Sequence, residues 1–136
     1  MTVLVDTSAL YPLLDEDDAN HLEAVRGWTR LLAVERPTTH SYVVLETSAL
    51  VQRRLGMAAV ERLHRGLLPA VGITMVDRST HERTVERWLT DRVRRLSLVD
   101  VTSFVVMRDR GLEHAFAYDD DFAREGFSLW DDPAAG

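Results

Sequence analysis

Asp6, Glu46, Asp100 and Asp119 are the residues around which chemistry can be built in this chain. Asp6 ends the run Thr2-Val3-Leu4-Val5, which is too short and too β-branched for a helix and reads as a buried strand. Asp119 follows a second short run read as a strand, Ala115 to Tyr118. Glu46 falls in the first two turns of a helix that Ser41 can cap, and Asp100 in the first turn of one opened by Ser97. In a parallel sheet, strand ends and the starts of the helices that follow them share one edge, where ligands bind. The four acids can therefore converge, with Asp121 as a fifth candidate two residues beyond Asp119.

Such a cluster repels itself, raising some pKa values and costing stability. A divalent cation resolves the conflict. Oxygen ligands without cysteine or patterned histidine select Mg²⁺ or Mn²⁺ over zinc. Two ions roughly 3.5–4 Å apart would stabilise the attacking and leaving oxygens of an in-line displacement. The implied reaction is hydrolysis of a nucleic-acid backbone by a metal-activated water. Each acid also has a structural reading. Asp100 is what a capping box wants at its fourth position. Glu46 alone is a solvated helix residue, and Asp119-Asp120-Asp121 alone a polar turn. Asp6 is the hardest to explain structurally, since a strand end is an odd place for a free charge. Their joint placement carries the argument.

The positioning elements alternate strand and helix. After Asp6 comes a helical turn over Ala9–Leu14, then Asp15-Glu16-Asp17-Asp18, read as the N-terminal cap of a helix from Ala19 to Glu35. Its apolar residues are Leu22, Val25, Trp28, Leu31 and Leu32, and Pro37 stops it. Thr38-Thr39-His40 reads as the second strand. The next helix runs from Ser41 to Leu55, burying Val44, Leu45, Ser48, Ala49 and Val51, and Gly56 ends it. Met57–Ala70 reads as another helix, Ile73–Val76 as the third strand, and Ser79-Thr80-His81-Glu82 as a capping box opening a helix through Leu89. The helix from Ser97 ends near Gly111, and Phe127–Trp130 is an edge strand. The pattern predicts a three-layer α/β/α fold with a short-stranded, mostly parallel sheet. Residues 1–130 read as a single domain and 131–136 as a loose tail.

Composition narrows the field. The 136 residues contain no cysteine, which excludes disulfides and thiolate metal sites and suits a reducing cytoplasm. They contain no lysine either, since all 16 cationic residues are arginine. That removes P-loop and Schiff-base mechanisms. No stretch approaches a membrane span or a signal peptide, so a cytoplasmic location is expected. The net charge of −6 argues against general nucleic-acid binding, but the arginines are uneven. Arg78, Arg83, Arg87, Arg92, Arg94 and Arg95 lead into the third acidic motif, where they read either as phosphate contacts or as a solvated, internally paired helix face. Trp28 and Trp88 sit at apolar helical positions and read as packing residues.

With these motifs in order, the chain resembles the PIN-domain ribonucleases, particularly the VapC-type toxins of type II toxin–antitoxin pairs. Asp6-Thr7-Ser8-Ala9-Leu10, Leu45-Glu46-Thr47, Ser97 to Phe104, and Ala117 to Phe122 followed by Gly126-Phe127 are similar to the family's four motifs. The resemblance implies a PIN-like fold and Mg²⁺- or Mn²⁺-dependent endoribonuclease activity. It implies Asp6, Glu46, Asp100 and Asp119 as the acidic site, with Asp6, Asp100, Asp119 and Asp121 holding metal. Ser8 matches a hydroxyl supporting the first acid, and Arg92, Arg94 and Arg95 are candidate RNA contacts. A cognate antitoxin and a homodimer are the implied partners. Ala117 departs from the pattern, standing where many members carry threonine, which should weaken a supporting hydrogen bond without removing a ligand.

Two other readings remain open at this point. A catalytically silent PIN-like module would bind a protein partner, although binding alone does not require a like-charge cluster. A phosphatase or phosphotransfer domain also places an aspartate after the first strand. The absence of lysine and the separate mid-chain acid count against it.

Overall fold

The pleat of the first strand, β1 (Thr2–Val5), sets the architecture. Val3 and Val5 enter one core cluster and Leu4 another, and all three are fully buried, so helices must cover both faces. The computed structural model describes residues 1–130, and the tail read as loose, 131–136, lies outside them. The other strands are β2 (Arg36–His40), β3 (Gly72–Thr74), β4 (His114–Phe116) and β5 (Ser128–Leu129). They form one sheet in the order β3-β2-β1-β4-β5, with every pairing parallel.

The helices are α1 (Thr7–Leu14), α2 (His21–Val34), α3 (Ser41–Leu55), α4 (Met57–Glu61), α5 (Arg78–Asp91), α6 (Leu98–Arg110) and α7 (Asp121–Arg124). One face of the sheet packs Val3, Val5 and Phe116 against Leu10 of α1, Trp28 and Leu31 of α2 and Val43 of α3. The other packs Leu4 and Ala115 against Phe104 and Met107 of α6 and Phe122 of α7. This is the expected three-layer α/β/α arrangement. The chain moves from β1 outward through β2 and β3, then returns to β4 on the other side of β1. The reversal opens a crevice at the carboxyl ends of β1 and β4, a position favoured for ligand sites. Among the described residues no helix is long and apolar enough to cross a membrane.

Several local expectations are corrected. The acidic run 15–18 does not cap α2. Asp15 accepts the Tyr11 hydroxyl and the Asp17 amide, Asp18 accepts the Asn20 amide, and the helix starts only at His21. Adjacent Asx-type turns thus outcompete the cap. Leu22, Val25 and Leu32 of α2 are exposed, and Ala24, Gly27, Trp28 and Leu31 face inward instead. His40, not Ser41, caps α3, its Nδ1 accepting the Tyr42 amide N–H. The buried stripe of α3 is Val43, Thr47 and Val51, while Leu45 is 69% exposed. Asp77 caps α5 by accepting the Thr80 amide, so the Ser79 box is not the start. The segment 57–70 stays helical but changes pitch, with a π-helical run over Arg62–Leu67 and a 3₁₀ turn over Leu68–Ala70 before β3.

Candidate active site

Asp6 is fixed from both ends of its backbone. Its amide donates to the Phe116 carbonyl of β4, and its own carbonyl accepts the Ala9 and Leu10 amides that start α1. Its carboxylate is the N-cap of α1, and Oδ2 accepts both the Ser8 amide (3.1 Å) and the Ser8 hydroxyl (2.7 Å). The same Ser8 oxygen accepts the Tyr118 amide at 3.0 Å. One hydroxyl therefore ties the first acid to the segment that delivers Asp119. Both bonds fall on Oδ2.

The acids meet as the strand order requires. Asp6, Ser8, Glu46, Asp100, Asp119 and Arg53 line one cleft of about 480 Å³ at the crevice between β1 and β4. Asp6 is only 4% exposed, and its pKa is pushed up to about 7. Burial is the main cause, opposed by the Ser8 hydrogen bonds and reinforced by the Asp119 and Asp100 charges. Asp119 is raised as well, first by burial, against the Asp121 amide bond to its Oδ1, with Asp100, Asp121 and Asp120 adding repulsion. Asp100 does make the capping box: its Oδ2 accepts the Ser97 amide while its own amide donates to Ser97 Oγ. It is a capping residue and a cleft residue together. Glu46 has no hydrogen-bond or ion-pair partner among the described residues. Asp121 stands beside the cleft rather than in its lining, and Arg95 Nε donates to its Oδ1 at 3.0 Å.

Sequence reasoning missed two buried supports. The hydroxyls of Thr7 and Thr47 lie 2.8 Å apart, clamping the start of α1 to α3. Each directly follows an acid of the cluster, a repetition visible in the sequence. His40 Nε2 donates to Ser103 Oγ at 2.8 Å, and that hydroxyl donates to the Val99 carbonyl, bracing the first turns of α6 behind Asp100. The Nδ1 acceptor role at the α3 cap fixes this tautomer. Burial holds the His40 pKa down to about 4.

The donor set suits a hard divalent cation, being oxygen alone, densely anionic and relieved by no cation except Arg53 in the lining. Two of the acids gain proton affinity from their surroundings, which is the unfavourable state an ion removes. Among the described residues no three acids or histidines already stand close enough to hold an ion, so binding would draw the carboxylates inward.

The structure also sorts the arginines. Arg78 pairs with Glu82, Arg83 with Asp109, Arg87 with Asp91 and Glu125, and Arg95 with Asp121. Arg92 and Arg94 have no carboxylate partner among the described residues. Trp28 is a core residue, whereas Trp88 is half-buried, its Nε1 donating to the Leu96 carbonyl.

A sequence profile of the PIN domain matches residues 3–127. The chain is 36% identical over 126 residues to a Mycobacterium tuberculosis protein described as the 23S rRNA-specific endonuclease VapC20, across 92% of this chain and 95% of that one. The crystal structure of M. tuberculosis VapC20, described as a sarcin–ricin-loop-cleaving toxin, matches with a TM-score of 0.82 at 33% identity, over 92% and 95% of the two chains. VapBC2 of Rickettsia felis, solved bound to a promoter DNA fragment, shares the fold with a TM-score of 0.70 at 11% identity, over 96% and 100%.

Proposed function

This chain belongs to the PIN-domain family, and on that premise we propose that it is a divalent-metal-dependent endoribonuclease, the toxin of a toxin–antitoxin pair. The observation that carries this reading is the convergence of Asp6, Glu46, Asp100 and Asp119 on one cleft at the sheet's reversal point. Asp6, Asp100 and Asp119 are the residues to hold Mg²⁺, or Mn²⁺ in its place, with Asp121 joining when Arg95 releases it. Such an ion would polarise the scissile phosphate and make water acidic enough to attack near neutral pH. Glu46, which has no partner among the described residues, would take up the proton that the attacking water loses. Ser8 orients Asp6 through Oδ2 and leaves Oδ1 for the ion. By similarity to the mycobacterial endonuclease, ribosomal RNA is the substrate class to test first. A cognate antitoxin and self-association as a homodimer complete the proposal, the first supported by the likeness to the Rickettsia felis VapBC2 structure.

The test is direct. The purified chain, freed of any bound partner, is incubated with intact ribosomal RNA and Mg²⁺, Mn²⁺ or a chelator, and new RNA ends are mapped. Discrete ends that require metal support the reading. RNA left intact with both metals refutes it.

A further inference from the structure

The connection from α5 to α6 builds a second recognition feature beside the acidic cleft. Trp88, Leu89, Arg92, Val93, Arg94 and Leu96 enclose a groove of about 310 Å³. It is held in shape by the Trp88 Nε1 bond to the Leu96 carbonyl (2.9 Å), the Arg92 amide bond to the Trp88 carbonyl and the Leu96 amide bond to the Val93 carbonyl. Its last lining residue precedes Ser97, which itself lines the acidic cleft, so the two sites are continuous along the chain.

Three features mark the groove as built for a ligand. Arg92 and Arg94 are exposed and uncompensated among the described residues, although four other arginines between 78 and 95 have carboxylate partners. Arg92 terminates α5 with φ at 53°, the only non-glycine positive φ among the described residues. Where α3 and α6 end, glycine takes that place, at Gly56 and Gly111. A charged side chain is thus kept where glycine fits more easily. Finally, an aromatic ring and the 56%-exposed Leu89 give the groove an apolar wall beside its two charges. Apolar and aromatic surface with cationic groups is the chemistry that receives a nucleotide, base on the wall and phosphate on the arginines.

We propose that this groove is an RNA subsite, seating one single-stranded nucleotide of the strand whose scissile phosphate lies in the acidic cleft. It rests on the ribonuclease reading and adds where the substrate is gripped. In a chain of net charge −6 the acidic cleft offers only Arg53 among its lining cations to hold flanking phosphates, and this turn adds two more charges next to it.

Binding of a fluorescein-labelled, 12-nucleotide single-stranded RNA to the Asp119→Asn protein with Mg²⁺ tests this, by anisotropy over a salt series. The double replacement Arg92→Gly, Arg94→Gln should flatten the slope of log affinity against log salt by about 0.7 to 1.4, since each single-strand phosphate contact contributes about 0.7 and the two arginines meet the one or two phosphates flanking the seated nucleotide. Its melting temperature should not fall, because glycine suits the left-handed position, which separates lost contact from lost fold. Arg36→Gln, at the opposite edge of the sheet, removes charge at a distance and should leave the slope unchanged. Equal slopes for the parent and double variant overturn the subsite while leaving the ribonuclease intact. Failure of the parent to bind either this RNA or intact ribosomal RNA overturns the functional reading and the subsite with it.

Discussion

Replacing Asp6 with asparagine should stabilise the metal-free protein, by an amount that depends on pH. Asp6 has a pKa raised from 3.8 to about 7, chiefly by burial. The fold therefore prefers the protonated acid. The stability this provides is fully present below 3.8 and is lost as pH rises to about 7. Across that interval the ionisation penalty comes to roughly 2–4 kcal/mol. Asparagine keeps an oxygen for the Ser8 amide and hydroxyl but cannot ionise. In chelator near pH 8, Asp6→Asn should melt above wild type by roughly 5–10 °C. The gap should close as pH falls toward 4. The assay is thermal unfolding followed by circular dichroism, in chelator, from pH 4 to 8. A variant that melts at or below wild type at pH 8, or a gap that does not change with pH, would refute the reasoning and make Asp6 a structural anchor.

Thr47→Val leaves the buried Thr7 hydroxyl without its partner and should cost about 1–3 kcal/mol in urea unfolding, while raising the Mg²⁺ concentration needed for half-maximal cleavage. His40 titrates in the opposite sense to Asp6. Its depressed pKa contributes stability that is present above 6.5 and lost as pH falls to about 4, about 3 kcal/mol in all. Measured in the Asp6→Asn background, where the opposing titration is absent, His40→Gln should flatten that acid limb. Mg²⁺ at one hundred times its dissociation constant should stabilise the wild type by about 2.7 kcal/mol, seen as a rise in melting temperature that Asp6→Asn largely loses.

The strand-end acid and the Ser97–Asp100 box were legible because each rests on a local pattern, whereas the strand order that brings β4 beside β1 was not. A β-branched run stops at a carboxylate, and a hydroxyl faces an acid three residues on. The buried face of α3 was not, because its sequence offers two apolar stripes. Turning Leu45 outward leaves the buried position to Thr47, whose hydroxyl meets Thr7 while Glu46 reaches the cleft, a choice that depends on α1. The same holds for the arginines. Their crowding is visible in sequence, but which of them are neutralised depends on Asp109, Asp121 and Glu125, acids brought near only by the fold. The cap of α5 failed for a smaller reason, as Asp77 two residues earlier offers a stronger acceptor than Ser79.

The most direct test of the central claim is ribosomal-RNA cleavage at saturating Mg²⁺ by wild type and by Asp6→Asn, Glu46→Gln, Asp100→Asn and Asp119→Asn, with each variant's folding checked by its melting curve. If the four acids form one metal-dependent site, every folded variant should lose about a hundredfold or more of the rate. Wild-type cleavage by folded Asp6→Asn or Asp119→Asn would contradict it and place the chemistry elsewhere in the molecule.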